Sequence, residues 1–307
     1  MPSQKAIKER IDGIKGTQKV TKAMKLIATI KLKQVQDFLN SYKGYQKELL
    51  DLLSQILDSL SKNQVRDSLI ENIFFKQLDN PKLKEIELLI IFSSDRGLCG
   101  SYNLQVFKAI ENYFKENSNQ ETLIITVGKK AQKFACSNDL KRKYPKLKII
   151  KSFSNFSVNP KLSEAKRIFE YLEKFLDTNK ITQRENNFRV KTIFSDFQNR
   201  LGSEVKIENL NNFEDLERLQ KQENQSLIFE PSPSKLLNQS IKKYLVNKIF
   251  YSLLSARTSE LSYRVNSMTS ATENAEKLIK DLTVTYNKAR QTSITQEIIE
   301  VISGSTT

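Results

Sequence analysis

Between Ile241 and Ser303 the chain contains neither proline nor glycine, and its apolar or small residues recur in steps of three and four. Leu261, Val265, Met268, Thr272, Ala275, Ile279, Leu282, Tyr286 and Ala289 alternate 4-3-4-3. A 3.5-residue period keeps one seam turned towards a partner helix, so this rhythm predicts a left-handed coiled coil. At ~1.5 Å per residue, a run of about 60 residues is roughly 90 Å long. Thr, Ala and Tyr at several seam positions predict a long shaft packed unevenly rather than a leucine zipper. Ser234 is the expected N-cap, because its hydroxyl can accept from an orphan backbone N–H.

A matching stretch lies at the other end. From Ser3 to Leu60 the helical pattern is interrupted at Gly13, Gly16 and Gly44. Ile7, Ile11 and Ile14 form one apolar stripe, Val20, Met24 and Ile27 are expected to continue it, and Val35, Phe38, Tyr42, Tyr45, Leu49, Leu52 and Ile56 to resume it. Each glycine costs about 1 kcal/mol in a helix interior, which a seam of about 55 residues can absorb. Gly13 and Gly16 are expected to mark local bending or close approach. Neither terminal helix can hide its stripe alone, so the two are expected to pair antiparallel. Gln4 and Asn266 do not set the register.

The period changes in the middle of the chain. Lys62 to Lys84 is mixed, with a boundary at Pro81. Ile86 to Phe92 is a short, nearly continuous apolar run, as suits a buried parallel strand. Asn103 to Phe114 reads as a helix with Leu104, Phe107 and Ile110 inward, Thr122 to Gly128 as a second strand, and Lys129 to Cys136 as a helix. Lys148 to Lys151 is a third strand. Leu162 to Leu176 is an amphipathic helix, and Arg189 to Phe194 and Glu204 to Leu210 are two further strands. Asn211 to Gln225 is a polar excursion or short helix, and Ile228 to Pro233 closes the region. Strand–helix alternation predicts an α/β domain of about 120–140 residues. The expected fold class is therefore α/β: a long antiparallel coiled coil of the N- and C-terminal helices with an inserted Rossmann-like α/β domain. The expected divisions are residues 1–60, 61–233 and 234–307.

Composition narrows the chemistry. The 307 residues carry a formal net charge of +15, no His, no Trp and two Cys. Such a charge implies an anionic partner or an acidic protein surface, but neither an aromatic RNA-reading motif nor zinc-finger spacing accompanies it. Absence of His removes the usual general base, most transition-metal sites and the Ser–His triad. Cys99 and Cys136 make neither a disulfide framework nor a zinc site, and a reducing compartment is expected. No apolar signal segment and no run of 18 apolar residues is present, so no secretory leader and no bilayer crossing are expected.

Two clusters invite an active-site reading. Gly128-Lys129-Lys130 follows a strand, but the glycines and the Lys-Ser/Thr pair of a phosphate loop are missing. Asp95-Arg96-Gly97-Leu98-Cys99-Gly100 sits at the C-terminal end of a strand, where α/β proteins place ligands. No His or acidic relay stands by to activate Cys99, so the expectation is a tight turn with Cys99 buried as a small hydrophobe, and Cys136 is expected to pack as well. No catalytic, cofactor-binding or metal-binding residue is assigned. The polar information is concentrated in the terminal helices: Lys15, Gln18, Lys19, Lys22 and Lys25 in the first, and Lys280 to Glu297 in the last. Charged faces of both signs on a rod suit docking work inside a partner, the alternative being a solvated face.

Three segments carry a family resemblance: Thr17-Gln18-Lys19-Val20-Thr21-Lys22-Ala23-Met24; Ser94 to Gly100; and Asn274 to Thr283 with Tyr286 to Gln291 and Ile294 to Ile298. In this order, over nearly the whole chain, they resemble the gamma subunit of F-type ATP synthase. The resemblance implies a rotor: a coiled coil inserted into a ring of alpha and beta subunits of F1, with an α/β foot touching epsilon and the c-subunit ring. It implies one copy per complex, no catalysis by the chain itself, no cofactor and no nucleic acid. It also implies peripheral attachment on the cytoplasmic face of a bacterial plasma membrane, or alternatively on the mitochondrial inner membrane or the thylakoid. Met24, Arg264, Gln291, Thr295 and Glu297 match family positions that couple the shaft to moving loops of the beta subunits, and Arg290 lies in the same matched segment. Photosynthetic members can carry an extra segment with a regulatory cysteine pair. No Cys lies between Phe194 and Pro231 here, so that thiol switch is not expected. The alternative class is a coiled-coil adaptor or nucleic-acid-binding protein without a rotary role.

Overall fold

In chain order the elements are α1 (Gln4–Asp58), β1 (Lys84–Phe92), α2 (Tyr102–Glu116), β2 (Glu121–Val127), α3 (Lys129–Ala135), α4 (Asn138–Lys143), β3 (Leu147–Phe153), α5 (Leu162–Thr178), β4 (Asn186–Phe197), β5 (Ser203–Asn209) and α6 (Pro233–Ser305). The structure, a computed structural model, describes residues 4–60, 84–117, 121–156, 159–179, 186–199, 202–211, 230 and 232–305. The mixed segment before Lys84, nearly all of the polar excursion after Asn211 and most of the closing segment before Pro233 lie outside the described residues. Both terminal helices run unbroken, 55 residues in α1 and 73 in α6. Pro233 takes the first turn of α6, and Leu236 N donates to Ser232 O at 3.0 Å. The helix therefore starts before Ser234, which lies inside it and is not the cap. Proline is suited to that first turn because its missing N–H has no intrahelical partner there. Beyond the neighbouring backbone of α1 itself, no heavy atom of the described residues lies within 4 Å of where a Cβ would stand on Gly13, Gly16 or Gly44, so none marks a close approach.

One compact unit comprises residues 31–262. Its sheet has the order β3-β2-β1-β4-β5. β1 runs parallel to both β2 and β4, β2 parallel to β3, and β5 antiparallel to β4. A central parallel strand is covered on both faces, which is why Leu88 to Phe92 are all at most 1% exposed. Leu89, Ile91, Val106, Ile110, Ile124 and Ile193 lie in the core beside the sheet. Leu104 is 69% exposed, contrary to the expected inner face of α2; Tyr102, Val106, Ile110 and Phe114 point in instead. α4 carries no recognisable apolar period, and Ser137 caps it by accepting from Leu140 N at 3.4 Å. Cys136 is exposed and does not pack as expected.

Within β1 one position breaks the apolar run. Glu87 is 3% exposed, its Oε1 lying 2.8 Å from Lys191 Nζ on β4 and accepting from the Tyr113 hydroxyl. Burial, then that carboxylate, pushes the Tyr113 hydroxyl well above its ordinary pKa. In the same unit the later part of α1 meets α6 through Tyr42. Its ring lies 4.9 Å from that of Phe250, edge to face, and its hydroxyl donates to Asn247 Oδ1. The buried stripe here uses Leu39 and Leu53 at 0% exposure, whereas Phe38, Tyr45 and Leu52 are 46–50% exposed. Apolar residues occupy both of two adjacent positions at 38–39 and 52–53, so periodicity alone cannot choose between faces.

The other unit comprises residues 1–30 and 263–307. Gln4 Nε2 donates to Ala289 O at 3.4 Å, and Thr272 donates to Thr21 Oγ1 at 3.0 Å. Seventeen residues separate Gln4 from Thr21 and seventeen separate Thr272 from Ala289, so the two helices run antiparallel in one register. On the α6 side Met268 and Ala275 are buried and Val265, Thr272, Ile279, Leu282, Tyr286 and Ala289 half-buried, as the 4-3 rhythm predicts. On the α1 side Ile7, Ile11 and Ile14 point in, but the stripe continues through Gln18, Thr21, Lys25 and Ala28. Val20, Met24 and Ile27 are 39–56% exposed, which overturns their expected place in the seam.

Candidate functional site

The six candidate coupling residues all lie in the unit of residues 1–30 and 263–307, at two levels. Met24 is 39% exposed on α1, and the register sets it opposite the stretch of α6 that begins a turn or so beyond Arg264, itself half-buried. Arg290, Gln291, Thr295 and Glu297 lie near the end of α6, all four exposed. At 1.5 Å per residue, Arg264 and Arg290 are separated by roughly 40 Å along the helix, so they do not form one pocket. Gln291 and Thr295 share a face by their i,i+4 spacing, and the Thr295 hydroxyl donates back to Gln291 O at 2.9 Å. Arg290 and Glu297, seven apart, share another. This is a surface that can be gripped at two heights and has no geometry for bond making.

The outward faces carry more large apolar area than solvent alone explains. Val20, Leu26, Ile27 and Ile30 on α1 are 53–63% exposed. Past Ala289, which pairs with the start of α1, Ile294, Ile298, Ile299, Val301 and Ile302 are 46–72% exposed. Contiguous exposed apolar patches mark interaction sites. The sequence pattern contains this signal, but at positions 20–27 a helical period assigns the same residues to the seam.

The two clusters in the α/β unit resolve differently. Gly128 has φ 106°, and a Cβ there would stand 2.3 Å from Ser93 O. After it, Lys129 N donates to Asp95 Oδ1 at 3.0 Å, Lys130 N to Ser94 O at 3.1 Å and Ala131 N to Ser93 Oγ at 2.7 Å. In a phosphate loop those N–H groups face the nucleotide; here side-chain and main-chain oxygens of the neighbouring loop take them. Asp95 Oδ2 also accepts from Asn155 N at 3.0 Å, so one carboxylate ties together the loops after β1, β2 and β3. Cys99 is 2% exposed, with Asn103 Nδ2 3.1 Å from its sulfur, in a turn that carries Leu98 and Gly100 at positive φ. Among the described residues no group of three or more His, Cys, Asp or Glu could hold a metal ion.

In an open α/β sheet ligands bind beyond the carboxyl ends of the strands, where the strand order reverses. That reversal lies between β1 and β4. At the carboxyl end of β4 the space is taken by α6: Phe197 N donates to Ser255 Oγ at 2.8 Å, and Ser259 Oγ donates to Ser195 O at 3.0 Å. Beside them Asp196 accepts from Ser255 Oγ at 2.8 Å, Tyr251 OH at 3.0 Å and Lys206 Nζ at 2.6 Å. Burial would raise the Asp196 carboxyl, but the hydrogen bonds from Lys206, Ser255 and Tyr251 together hold it below the usual carboxylate range. Ser252, Ser255, Thr258, Ser259 and Ser262 are at most 4% exposed, and such small side chains let a helix approach a sheet edge closely. Sequence patterning does not single out Asp196, because its partners lie on two other elements.

Comparison with known proteins gives a consistent outcome. A family model described as ATP synthase matches residues 3–307. The ATP synthase gamma chain of Geotalea daltonii is 34% identical over 307 residues, covering 99% of this chain and 98% of the relative. That of Fusobacterium nucleatum is 30% identical over 307 residues, covering 99% of each. A chain in the solved Euglena gracilis mitochondrial ATP synthase (OSCP/F1/c-ring, rotational state 3) matches with a TM-score of 0.62 at 18% identity, covering 99% of this chain and 93% of that one. One in the Tetrahymena thermophila mitochondrial ATP synthase central stalk and c-ring matches with a TM-score of 0.55 at 23% identity, covering 82% and 99%. These two likenesses bear on the fold.

Proposed function

The chain belongs to the ATP synthase gamma-chain family, and from that premise we propose that it is the central rotor subunit of an F-type ATP synthase. It couples transmembrane ion flow and rotation of the c-subunit ring to ATP synthesis, or hydrolysis to the reverse rotation, at the alpha and beta subunits of F1. Its partners are those subunits, epsilon and the c-ring. Catalysis belongs to the alpha and beta subunits, and this chain contributes no catalytic residue and no cofactor. It sits peripherally, as one copy per complex, on the cytoplasmic face of a bacterial plasma membrane. Residues 1–60 and 234–307 act as the shaft and residues 61–233 as the foot. Met24, Arg264, Arg290, Gln291, Thr295 and Glu297 are its coupling contacts with the beta subunits.

One observation supports this reading most strongly. The pair of helices has a partly polar seam, with Thr21 bonded to Thr272, while Val20, Leu26, Ile27 and Ile30 are 53–63% exposed among the charged residues of the outer face. Such a distribution suits a shaft surrounded by protein, where the outer apolar residues are covered in turn by a ring. Charge-assisted hydrogen bonds donated by Arg290 and accepted by Glu297 can break and remake against a rotating surround.

The test is complementation. Membranes of a bacterium lacking its gamma chain are supplied with this chain together with its own alpha, beta and epsilon subunits, and ATP-driven ion pumping and co-purification are measured. Restored pumping, with the chain in the purified complex, is expected. A chain that purifies without alpha and beta subunits and restores no pumping would sink the rotor reading in favour of an adaptor.

A further inference from the structure

We infer that Asp196 is a positioning residue that locks the roll of α6 against the sheet, making the β4–β5–α6 junction the joint through which torque passes. The inference rests on the rotor reading and adds to it a specific load-carrying contact. Asp196 is 5% exposed on β4. Its Oδ2 lies 2.6 Å from Lys206 Nζ on β5, and its Oδ1 accepts from Tyr251 and Ser255 on α6. Ser255 donates to that carboxylate while accepting from Phe197 N, so its single proton and its oxygen are both committed to β4. Ser259 Oγ donates to Ser195 O, and Lys248 Nζ donates to Asn209 O at 3.1 Å at the end of β5.

Lys248, Tyr251, Ser255 and Ser259 are spaced three, four and four apart, which places them along one face of the helix. Apolar packing opposes a helix's roll through the interdigitation of its side chains but fixes no angle by direction. Hydrogen bonds are directional and weaken steeply with angle, so a row of them opposes that roll. Asp196 fixes the row to two strands at once. Lys206 holds the carboxylate from β5, and the two helix hydroxyls then meet an acceptor that cannot swing with them. A rotor in which the sheet-bearing part and the long helix must turn together needs a contact of this kind.

The experiment measures the ratio of ATP-driven ion pumping to ATP hydrolysis per assembled complex. Variants are introduced in the complementing chain, and subunit content is normalised by quantitative gel. Asp196→Ala is expected to lower the ratio by about threefold or more while hydrolysis persists. Asp196→Asn keeps an acceptor for Tyr251 and Ser255 but loses the tie to Lys206, and is expected to restore part of the ratio, which a lesion acting only through complex assembly would not do. If Asp196→Ala does not assemble, Tyr251→Phe and Ser255→Ala, each removing one hydroxyl, are expected to lower the ratio in assembled complexes. Unchanged ratios in whichever of these variants assemble, while the unmodified chain pumps, overturn the joint alone. No pumping with the unmodified chain overturns the rotor reading and the joint with it.

Discussion

Thr272 on α6 donates its hydroxyl to Thr21 Oγ1 on α1 at 3.0 Å, across 251 positions of sequence. Together with the Gln4–Ala289 contact it sets the antiparallel register of residues 4–30 against 263–289. Each hydroxyl also lies within bonding distance of its own helix, Thr21 Oγ1 3.0 Å from Gln18 O and Thr272 Oγ1 2.7 Å from Met268 O, so the two protons are shared among these three contacts. The stretch of seam built of Thr21, Lys25, Ala28, Thr272 and Ala275 buries less apolar area than the stretch of Ile7, Ile11 and Ile14, roughly 25 cal/mol per Å² of stabilisation being available only where such area is removed from water. The larger residues Val20, Ile27 and Ile30 are turned outward. This stretch of the pair is therefore better suited to being held from outside than to holding itself.

The Glu87–Lys191 pair is buried and shared with Tyr113. Lys191→Met leaves the Glu87 carboxylate uncompensated and is expected to destabilise the chain by about 3–5 kcal/mol. Adding Glu87→Leu removes the stranded charge and is expected to recover most of the loss, since an apolar pair of similar volume is often neutral there. Urea melts of the two variants measure this. A double variant no more stable than Lys191→Met would show that the cluster does not act as one unit.

Opposite outcomes are expected at two glycines. Gly128→Ala forces a Cβ to within 2.3 Å of Ser93 O at a positive φ and is expected to cost about 2–4 kcal/mol. Gly44 lies on α1 with open space around it, so Gly44→Ala is expected to stabilise by about 0.5–1 kcal/mol. Thermal unfolding of both variants against the unmodified chain decides the matter. A neutral Gly128→Ala would mean that the tie between the loops after β1 and β2 yields easily.

Much of the fold was legible because period and length carried it. The 4-3 rhythm from Leu261 to Ala289 coincides with the residues that α6 turns inward, and the apolar run at 88–92 is the central strand. The α1 seam was legible only in part. Val20, Met24 and Ile27 satisfy a helical period as well as Gln18, Thr21 and Lys25 do, and apolar character alone favours the wrong set when a face is reserved for a partner. The ambiguity between the adjacent apolar residues Phe38 and Leu39 has the same origin. Asp196 was illegible for another reason: one carboxylate in β4 has no signature until β5 and α6 bring Lys206, Tyr251 and Ser255 to it.

Acid should reveal that same carboxylate. Its partners hold Asp196 below the usual carboxylate value of about 3.9. Below that value the unfolded chain binds the proton before the folded one does. The stability contributed by this group is thus present above about pH 4 and lost as pH falls through the folded value. Asp196→Asn has no such proton to bind. Denaturation midpoints followed from pH 6 downward are expected to fall more steeply below pH 4 for the unmodified chain than for Asp196→Asn. Parallel curves would mean that the carboxylate gains no net stabilisation from Lys206, Tyr251 and Ser255.

The last prediction concerns transmission at the shaft. Met24 stands on the outward apolar stripe of α1 with Val20 and Ile27, 39% exposed and pliable. If that stripe is what the beta subunits touch, Met24→Lys places an ammonium in a contact otherwise made by soft apolar atoms. The new charge can pair with an acidic loop for part of the rotary cycle. An exposed pair is worth about 0.2–1 kcal/mol, and one closed off from water several-fold more. A contact that deepens some rotary positions and not others raises the barrier between them without touching the catalytic sites. Hydrolysis is then expected to continue while ATP-driven pumping falls, and a second change at Arg264, Gln291 or Glu297 to restore part of the loss by rebalancing the shaft's charges. The ratio of pumping to hydrolysis, measured in membranes at equal assembly, separates this from a folding defect, which would lower both together. An unchanged ratio would mean that the outward face of α1 at Met24 carries no load, and the stripe would then need another occupant.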